Sequence, residues 1–298
     1  MGGREEEAEM LLKEAVGVDV ASRRHRGDIV IELLTLYQSS PNSKHGFGHL
    51  FGEEGGADGR GFTDDVVSSG TGEEACPPGS EHSLQPLMDA MHRVNPYQGF
   101  DGASLGYSAG EHQGHDSSLM ALLVHVTRPS LIIEVGSWKG GSAIQMASVV
   151  RRRGWGCRTK IVCVDTWLGT STDLKSQRLP LVNGYPTVQR EFMWNVIQAG
   201  YASCIVPLAA PANIGAKYLA FLQDRGLCPS ADLIFIDGNH DYDDVKQDIH
   251  NFFPLLSPSG LMFGDDYGWA GVKKAVDEFA AEHNLRVFSP GHRTWLIA

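Results

Sequence analysis

Residues 131–142 read LIIEVGSWKGGS, a run that passes from apolar residues into a glycine-rich turn. The apolar part predicts a buried strand, and the stretch that follows, SAIQMASVVRRR, has the spacing of a helix. Gly136, Gly140 and Gly141 allow the backbone of the turn to approach a ligand closely, and the start of the helix offers unpaired N–H groups. Such turns are common in α/β proteins, so the fold is decided by what surrounds this one.

The alternation of helix and strand extends from residue 117 to residue 298. Apolar strands are predicted at 131–136, 160–165, 203–208, 231–237 and 260–265, with helices between them. Two last strands, in LRVFS and RTWLIA, are joined by the short turn PGH and predict an antiparallel hairpin. The pattern therefore predicts an α/β fold with a doubly wound seven-stranded sheet, mostly parallel and ending in a C-terminal antiparallel β-hairpin.

The first 115 residues differ in character from the rest. They hold 8 basic and 19 acidic residues, which accounts for the whole formal net charge of -11 and argues against nucleic acid as a partner. Helices are predicted at 5–15 and at 28–38, the second with Asp28 as its N-cap. Residues 39–81 are rich in Gly, Ser, Pro and acid, which predicts a flexible stretch or, alternatively, a lid that orders on binding. We divide the chain into an N-terminal extension, 1–115, and a main domain, 116–298.

Composition also bears on the compartment. No apolar run reaches membrane-spanning length, and the opening MGGREEEAEM is acidic where a targeting peptide is basic. The cysteines show no zinc-binding spacing, and Cys163 and Cys204 fall in predicted strands; the five are Cys76, Cys157, Cys163, Cys204 and Cys228. We expect reduced core thiols in a soluble cytoplasmic protein without a membrane partner, and a homo-oligomer stays open.

Ligands of a doubly wound sheet collect at the carboxyl ends of its strands. The second predicted strand ends in Asp165, Thr166 and Trp167. An acid there suits the hydroxyls of a ribose, and a tryptophan beside it suits a flat base. A turn cap is the alternative for Asp165, and core packing is the alternative for Trp167.

The glycine turn, the acids after the second and fourth strands and the terminal hairpin resemble the class I S-adenosylmethionine-dependent methyltransferases. LIIEVGSWKGGSA, FIDGNHDYDDVKQDI and GLMFGDDYGWAGVKKAVDEF are similar to the branch of macrocin-type sugar O-methyltransferases, over residues 117–298. The resemblance implies the Rossmann-like methyltransferase fold and S-adenosyl-L-methionine as cofactor. The implied cofactor-binding residues are Glu134, Gly136, Ser137, Gly140, Gly141, Ser142, Asp165, Thr166, Trp167 and Asp237.

The resemblance extends to metal-dependent O-methyltransferases of the catechol and caffeoyl-CoA types, which carry acids after the fourth and fifth strands. The matching positions here are Asp237, Asp265 and Asp266, which implies a divalent metal, magnesium first, with calcium or manganese as alternatives. His240 stands where those relatives have a lysine base, so the resemblance implies a histidine base instead.

Simpler explanations of these acids stay open. Asp237 and Asp241 can be helix caps, and Asp265 and Asp266 can cap the helix that starts near residue 271. The remaining acids of the stretch, Asp243, Asp244 and Asp248, are expected on the solvated face of a helix. His112 and His115 can face a substrate, although we interpret them first as loop residues.

The leading functional hypothesis is O-methyl transfer to a small hydroxylated molecule, either a sugar or a polyhydroxylated aromatic compound. A nicotinamide-dependent oxidoreductase is one rival, but EVGSWKGG does not match the GxGxxG fingerprint of those enzymes. The other rival is an S-adenosylmethionine-binding protein without turnover.

Overall fold

The chain is seen in a computed structural model that describes residues 10–11, 23–38, 85–103, 105, 117–156, 158–289 and 293–298. Several predictions lie outside these residues. They are most of the helix at 5–15, the flexible stretch or lid at 39–81, both loop histidines and two of the cysteines, Cys76 and Cys157.

Seven strands form one sheet in the order β5-β2-β1-β6-β7-β9-β8. The first five of these are parallel to one another, whereas β9 runs antiparallel to both β7 and β8. This confirms the predicted doubly wound sheet with its C-terminal antiparallel hairpin. The strands are β1 Leu131–Val135, β2 Lys160–Asp165, β5 Ile205–Ala209, β6 Ala231–Ile236, β7 Leu256–Gly264, β8 Val287–Phe288 and β9 Trp295–Ile297.

The helices largely follow the predicted positions. They are α1 Arg23–Gln38, α2 Gln85–Met91, α3 Ser117–Thr127, α4 Gly141–Arg152, α5 Ser171–Lys175, α6 Val188–Gln198, α7 Ala212–Asp224, α8 Tyr242–Phe252 and α9 Ala270–Glu282. A small antiparallel ribbon, formed by β3 Leu181–Val182 and β4 Tyr185–Pro186, was not predicted. None of the helices within the described ranges is both long and apolar enough to cross a bilayer.

Two apolar cores lie on opposite faces of the sheet, because alternate residues of each strand point to opposite sides. One core joins buried residues of α1, α3, α4 and α6 to residues such as Ile132 and Phe263. The other joins α2, α7, α8 and α9 to residues such as Ile133 and Trp295. Cys163 and Cys228 belong to the first and second core respectively, which confirms the expectation of buried thiols for the described cysteines.

Two described segments of the N-terminal part pack directly on the sheet. Helix α1 buries Leu33 and Leu34 in the first core, and its Arg26 Nη1 donates to the carbonyl of Ser259 in β7 at 3.3 Å. The segment after α2 covers the outer strand β5: the Tyr97 hydroxyl donates to the carbonyl of Ile205 at 3.0 Å, and His92 Nε2 lies 2.8 Å from the carbonyl oxygen of Pro207. The proposed division at residue 115 stays a prediction.

Two sequence predictions about acids are wrong. Asp28 is not the N-cap of its helix, because α1 begins at Arg23; its carboxylate pairs instead with Arg286 beside the last strands. Asp248 is not on the solvated face of α8 but is buried with 7% exposure, next to the Gly238 backbone. The helical pattern placed Asp248 three residues after Val245 and one before Ile249, which is the buried face. The exposure expected of Asp243 and Asp244 is confirmed.

The burial of Asp248 predicts an unusual pH dependence of stability. Desolvation, reinforced by the charge of Asp244, raises the pKa of Asp248 to about 7. An acid with a higher pKa in the folded chain contributes stability that is complete below its unfolded pKa and lost as the pH rises through about 7. Asp248→Asn should therefore stabilise the protein at pH 8 by on the order of 2 kcal/mol, and by less at pH 5.

Thermal melts of wild type and variant at both pH values test this. Asp243→Asn, an exposed change in the first turn of the same helix, serves as the control and should change stability by only a few tenths of a kcal/mol. An equal effect of Asp248→Asn at pH 5 and pH 8 would contradict the proposed origin of the penalty.

Candidate active site

The glycine turn after β1 lies against the end of β6 with no space between them. Gly136 has a φ of 84°, and a Cβ built on it would lie 2.2 Å from the carbonyl oxygen of Asp237. Gly140 has a φ of 89° and is the N-cap of α4, with Phe192 of α6 3.0 Å from its Cβ position. The turn therefore needs glycine at these two positions for both conformation and space.

Asp165, at the end of β2, is hydrogen-bonded to this turn. Its carboxylate accepts hydrogen bonds from the backbone N–H groups of Ser137 and Trp138, both at 2.9 Å, and from that of Trp167 at 2.7 Å. Burial raises the pKa of Asp165, and these backbone donors oppose the rise. A carboxylate has about four acceptor positions, so the three bonds leave room for about one more rather than for a pair of ribose hydroxyls.

The other residues that the resemblance implies for the cofactor are buried or half-buried. Trp167 is 2% exposed, lies 4.9 Å from the Phe192 ring and donates from Nε1 to the carbonyl of Trp138, which favours the core-packing alternative. Glu134 is fully buried and accepts from Ser142 Oγ and, at 3.3 Å, from Cys163 Sγ. Thr166 is half-buried, and its hydroxyl accepts from the Leu168 N–H at 3.2 Å.

Two features of the turn are suited to a ligand. The N-cap of α4 is Gly140, which has no side chain that could cap the first turn, where Gly141 and Ser142 stand. Among the described residues, the buried Ser137 Oγ makes no well-formed hydrogen bond and interacts only weakly with the Cys163 thiol. A hydroxyl with free hydrogen-bonding capacity beside a helix start whose N-cap is glycine fits a polar cofactor bound at this edge.

A compact cluster of three titratable side chains stands beside the turn, at the ends of β6 and β7. Asp237, His240 and Asp266 each offer one ligand atom, and these atoms all lie within 4.8 Å of one another. His240 Nε2 lies 2.8 Å from Asp266 Oδ2, and this hydrogen bond raises the pKa of His240 against the lowering effect of burial. Gly136 contacts the Asp237 backbone, so the cluster and the glycine turn form one continuous site.

Asp265, the third predicted metal ligand, lies apart from this cluster. Its carboxylate is 1% exposed and receives Nε and Nη2 of Arg293, each at 3.2 Å. Its carbonyl oxygen accepts from Trp295 Nε1 at 3.1 Å. The structure thus brings together two of the three predicted carboxylates and gives the third a guanidinium partner.

The donor set of the cluster fits a divalent cation. Two carboxylates and one imidazole nitrogen suit Mn²⁺ and other first-row metals, whereas Mg²⁺ and Ca²⁺ prefer oxygen ligands alone. With Asp265 paired to Arg293, the residues that would hold a metal are Asp237, Asp266 and His240.

Sequence reasoning missed two neighbours of this site. Arg293 could be found from hairpin register, because Gly264 pairs with Trp295 and residue 293 therefore extends beyond β9 towards Asp265. Trp269 lies over His240 with ring centroids 5.0 Å apart and planes at 29°. Its signal is weaker, since only its position three residues after Asp266 marks it.

Comparison with known proteins gives one family match. Residues 133–267, just under half of the chain, match the model of a methyltransferase domain. A Sinorhizobium fredii protein described as uncharacterized, y4gI, is 26% identical over 144 residues, which are 48% of this chain and 14% of that protein. The chain therefore matches only about one seventh of the length of this curated relative.

The similar solved structures include three of O-methyltransferases or methyltransferases at 16% identity. CalS11, a calicheamicin methyltransferase, has a TM-score of 0.47, and the match covers 77% of this chain and 98% of CalS11. An O-methyltransferase from Bacillus cereus scores 0.44 over 72% and 90%. TomG, an O-methyltransferase from Streptomyces achromogenes, scores 0.43 over 72% and 88%.

The contact at Gly136 predicts a large effect of a single methyl group. Gly136→Ala should destabilise the fold by several kcal/mol, because the new Cβ meets the carbonyl oxygen of Asp237 as well as requiring a left-handed backbone. Gly154→Ala is the matched control, with a φ of 68° but nothing within 4 Å of the Cβ position, and should cost about 1 kcal/mol. Urea unfolding measures both, and equal costs would show that the close approach is not needed.

Proposed function

We propose that this chain, whose residues 133–267 match the model of a methyltransferase domain, is an S-adenosylmethionine-dependent O-methyltransferase for a hydroxyl group of a small molecule. The observation that carries the proposal is the cluster of Asp237, His240 and Asp266 beside the glycine turn. A proton acceptor directly beside the expected cofactor turn is what O-methyl transfer requires.

S-adenosylmethionine supplies an activated methyl group, so the residues of the chain have to place a hydroxyl oxygen and remove its proton. His240 is suited to accept that proton. With Asp266 accepting from Nε2–H, the Nδ1 atom is left as the proton acceptor. The hydrogen bond to Asp266 also holds the imidazole in one tautomer and orientation, since the carboxylate accepts only from a protonated nitrogen.

A divalent cation at the same cluster would be held by Asp237 and Asp266 and would lower the pKa of a bound hydroxyl. His240 would be its third ligand or the base, but one nitrogen cannot bond to a metal and donate a proton to Asp266. We propose Mn²⁺ or Mg²⁺ here, with the nitrogen donor favouring Mn²⁺ when His240 is a ligand. The acceptors that match a cation with free positions are sugars or aromatic rings with adjacent hydroxyls.

Calorimetric titration tests the cofactor and the metal together. S-adenosylmethionine and S-adenosylhomocysteine should both bind, and Mn²⁺ should bind separately. Asp237→Asn and Asp266→Asn should each weaken Mn²⁺ binding at least about tenfold, since each removes one charged ligand. Asp265→Asn should leave Mn²⁺ affinity within about twofold because its carboxylate faces Arg293.

Asp243→Asn controls for general loss of negative charge nearby. Loss of Mn²⁺ binding in Asp265→Asn alone would show that Asp265 is a metal ligand, as the family resemblance implies. Absence of cofactor binding would refute the proposed function, and cofactor binding without methyl transfer to any hydroxylated acceptor would favour a binding protein without turnover.

The role of His240 has its own test. His240→Gln should lower kcat by about 100-fold or more while leaving the Kd for S-adenosylhomocysteine within about threefold, because the side chain is needed for the proton and not for the cofactor. His250→Gln, a half-exposed histidine on α8 paired with Glu282, should leave kcat nearly unchanged. An unchanged kcat in His240→Gln would exclude it as the base.

A further inference from the structure

We propose that Arg293 is an internal counterion that keeps the Asp265 carboxylate from a divalent metal, and that it thereby determines how strongly the site binds Mg²⁺ relative to Mn²⁺. This inference rests on the metal site of the proposed function. It assigns a role to an arginine that lies outside both the predicted cofactor set and the three clustered side chains at the ends of β6 and β7.

The two side chains of this ion pair differ greatly in exposure. Arg293 Nε lies 3.2 Å from each carboxylate oxygen of Asp265, and Nη2 lies 3.2 Å from Oδ2. The side chain of Asp265 is 1% exposed, whereas that of Arg293 is 52% exposed. An exposed guanidinium can turn into solvent at little cost, but a buried carboxylate that loses its partner is left with an uncompensated charge. Asp265 therefore needs a cation at this position, and Arg293 is a cation that can be displaced.

Hydrogen bonds fix the backbone of both residues. The carbonyl oxygen of Asp265 accepts from Trp295 Nε1 at 3.1 Å, and the Tyr267 N–H donates to the carbonyl oxygen of Arg293 at 2.6 Å. Both bonds join the segment after β7 to the C-terminal hairpin. Displacement of the guanidinium therefore requires only rotation about the side-chain bonds of Arg293, without movement of either main chain.

The Asp265 carboxylate is close enough to the cluster to act on it. The pKa of His240 is raised first by the hydrogen bond to Asp266, and the charges of Asp237 and Asp265 add to the rise. Three carboxylates at one edge of a sheet repel one another unless a positive charge lies among them. Arg293 supplies such a charge in this structure, and a divalent cation would supply the same compensation.

The ion pair determines which donor atoms are available to a metal. While Arg293 holds Asp265, the donors are two carboxylates and the imidazole of His240, a set that favours Mn²⁺ over Mg²⁺. Without the guanidinium a third carboxylate becomes available, and Mg²⁺ prefers oxygen ligands. Arg293 should therefore weaken Mg²⁺ binding more than Mn²⁺ binding. A purely structural ion pair that anchors the hairpin would affect neither.

Calorimetric titration of Mg²⁺ and of Mn²⁺ into the full chain tests the role of Arg293. Arg293→Gln should raise the affinity for Mg²⁺ at least about tenfold and that for Mn²⁺ by less. When Asp265→Asn is also present, Arg293→Gln should change either affinity by about threefold or less, because an exposed charge acts only weakly through solvent. Arg286→Gln is the matched control: it removes a 54% exposed arginine, paired with Asp28, and should bind both metals as wild type does.

Thermal melts give a second readout that does not depend on binding heats. Without metal, Arg293→Gln should lower the Tm because the buried Asp265 loses its partner, and saturating Mg²⁺ should raise the Tm of this variant more than that of wild type. A purely structural ion pair would give the same Mg²⁺-induced rise in both. Arg293→Lys keeps the charge but loses the two-pronged contact, so its Mg²⁺ affinity should lie between those of wild type and Arg293→Gln.

Equal Mg²⁺ affinity of wild type and Arg293→Gln would overturn the proposal, and so would a gain that persists undiminished in the presence of Asp265→Asn. Absence of metal binding in every variant would overturn it as well. S-adenosylhomocysteine binding, measured on the same samples, and methyl transfer by the wild type test the proposed function separately. Cofactor binding and methyl transfer with no effect of Arg293→Gln on either metal would refute the role of Arg293 alone.

Discussion

The site depends on one steric constraint, the direct contact between the backbone of the turn after β1 and the backbone at the end of β6. Because β1 and β6 are neighbouring parallel strands, their carboxyl ends meet at the same edge, and Gly136 lets them touch. The position of Asp237 relative to the turn is thereby set by main-chain atoms rather than by flexible side chains. Asp165 adds to this from β2 by tying down the N–H groups of the same turn.

Close backbone contact recurs on the other side of the cluster. A Cβ built on Gly264 would lie 2.3 Å from the Trp295 ring, and a Cβ built on Gly271 would clash with the His240 carbonyl oxygen. The carboxylates of Asp265 and Asp266 have different partners. Asp265 is buried against Arg293, and Asp266 faces His240. Two consecutive acids thus serve different partners, and the backbone at Asp266, the second of them, is left-handed with a φ of 58°.

The features of the fold and the site that depend on local interactions could be predicted from the sequence. Those that depend on contacts between residues far apart in the chain could not. The strands and helices were predictable because apolar periodicity is local, and the order of acids after strands placed Asp237 and Asp266 correctly at one edge. The fate of Asp265 was not predictable in the same way, since its partner Arg293 is 28 residues away and comes from the hairpin. Asp248 departs from the prediction for the opposite reason: the general tendency of acids to face solvent conflicts with the helical phase, which is also local and places Asp248 inward.

The cover on β5 has a consequence for where the folding unit begins. Strand β5 is the outermost strand of the parallel half, and an uncovered outer strand offers its unpaired N–H and C=O groups to any other chain. The contacts of His92 and Tyr97 occupy two of these carbonyls, while Leu87 buries its side chain in the second core. A fragment cut at residue 115 to isolate the sheet would bare both the strand and an apolar hollow, and would be prone to self-association through β-pairing.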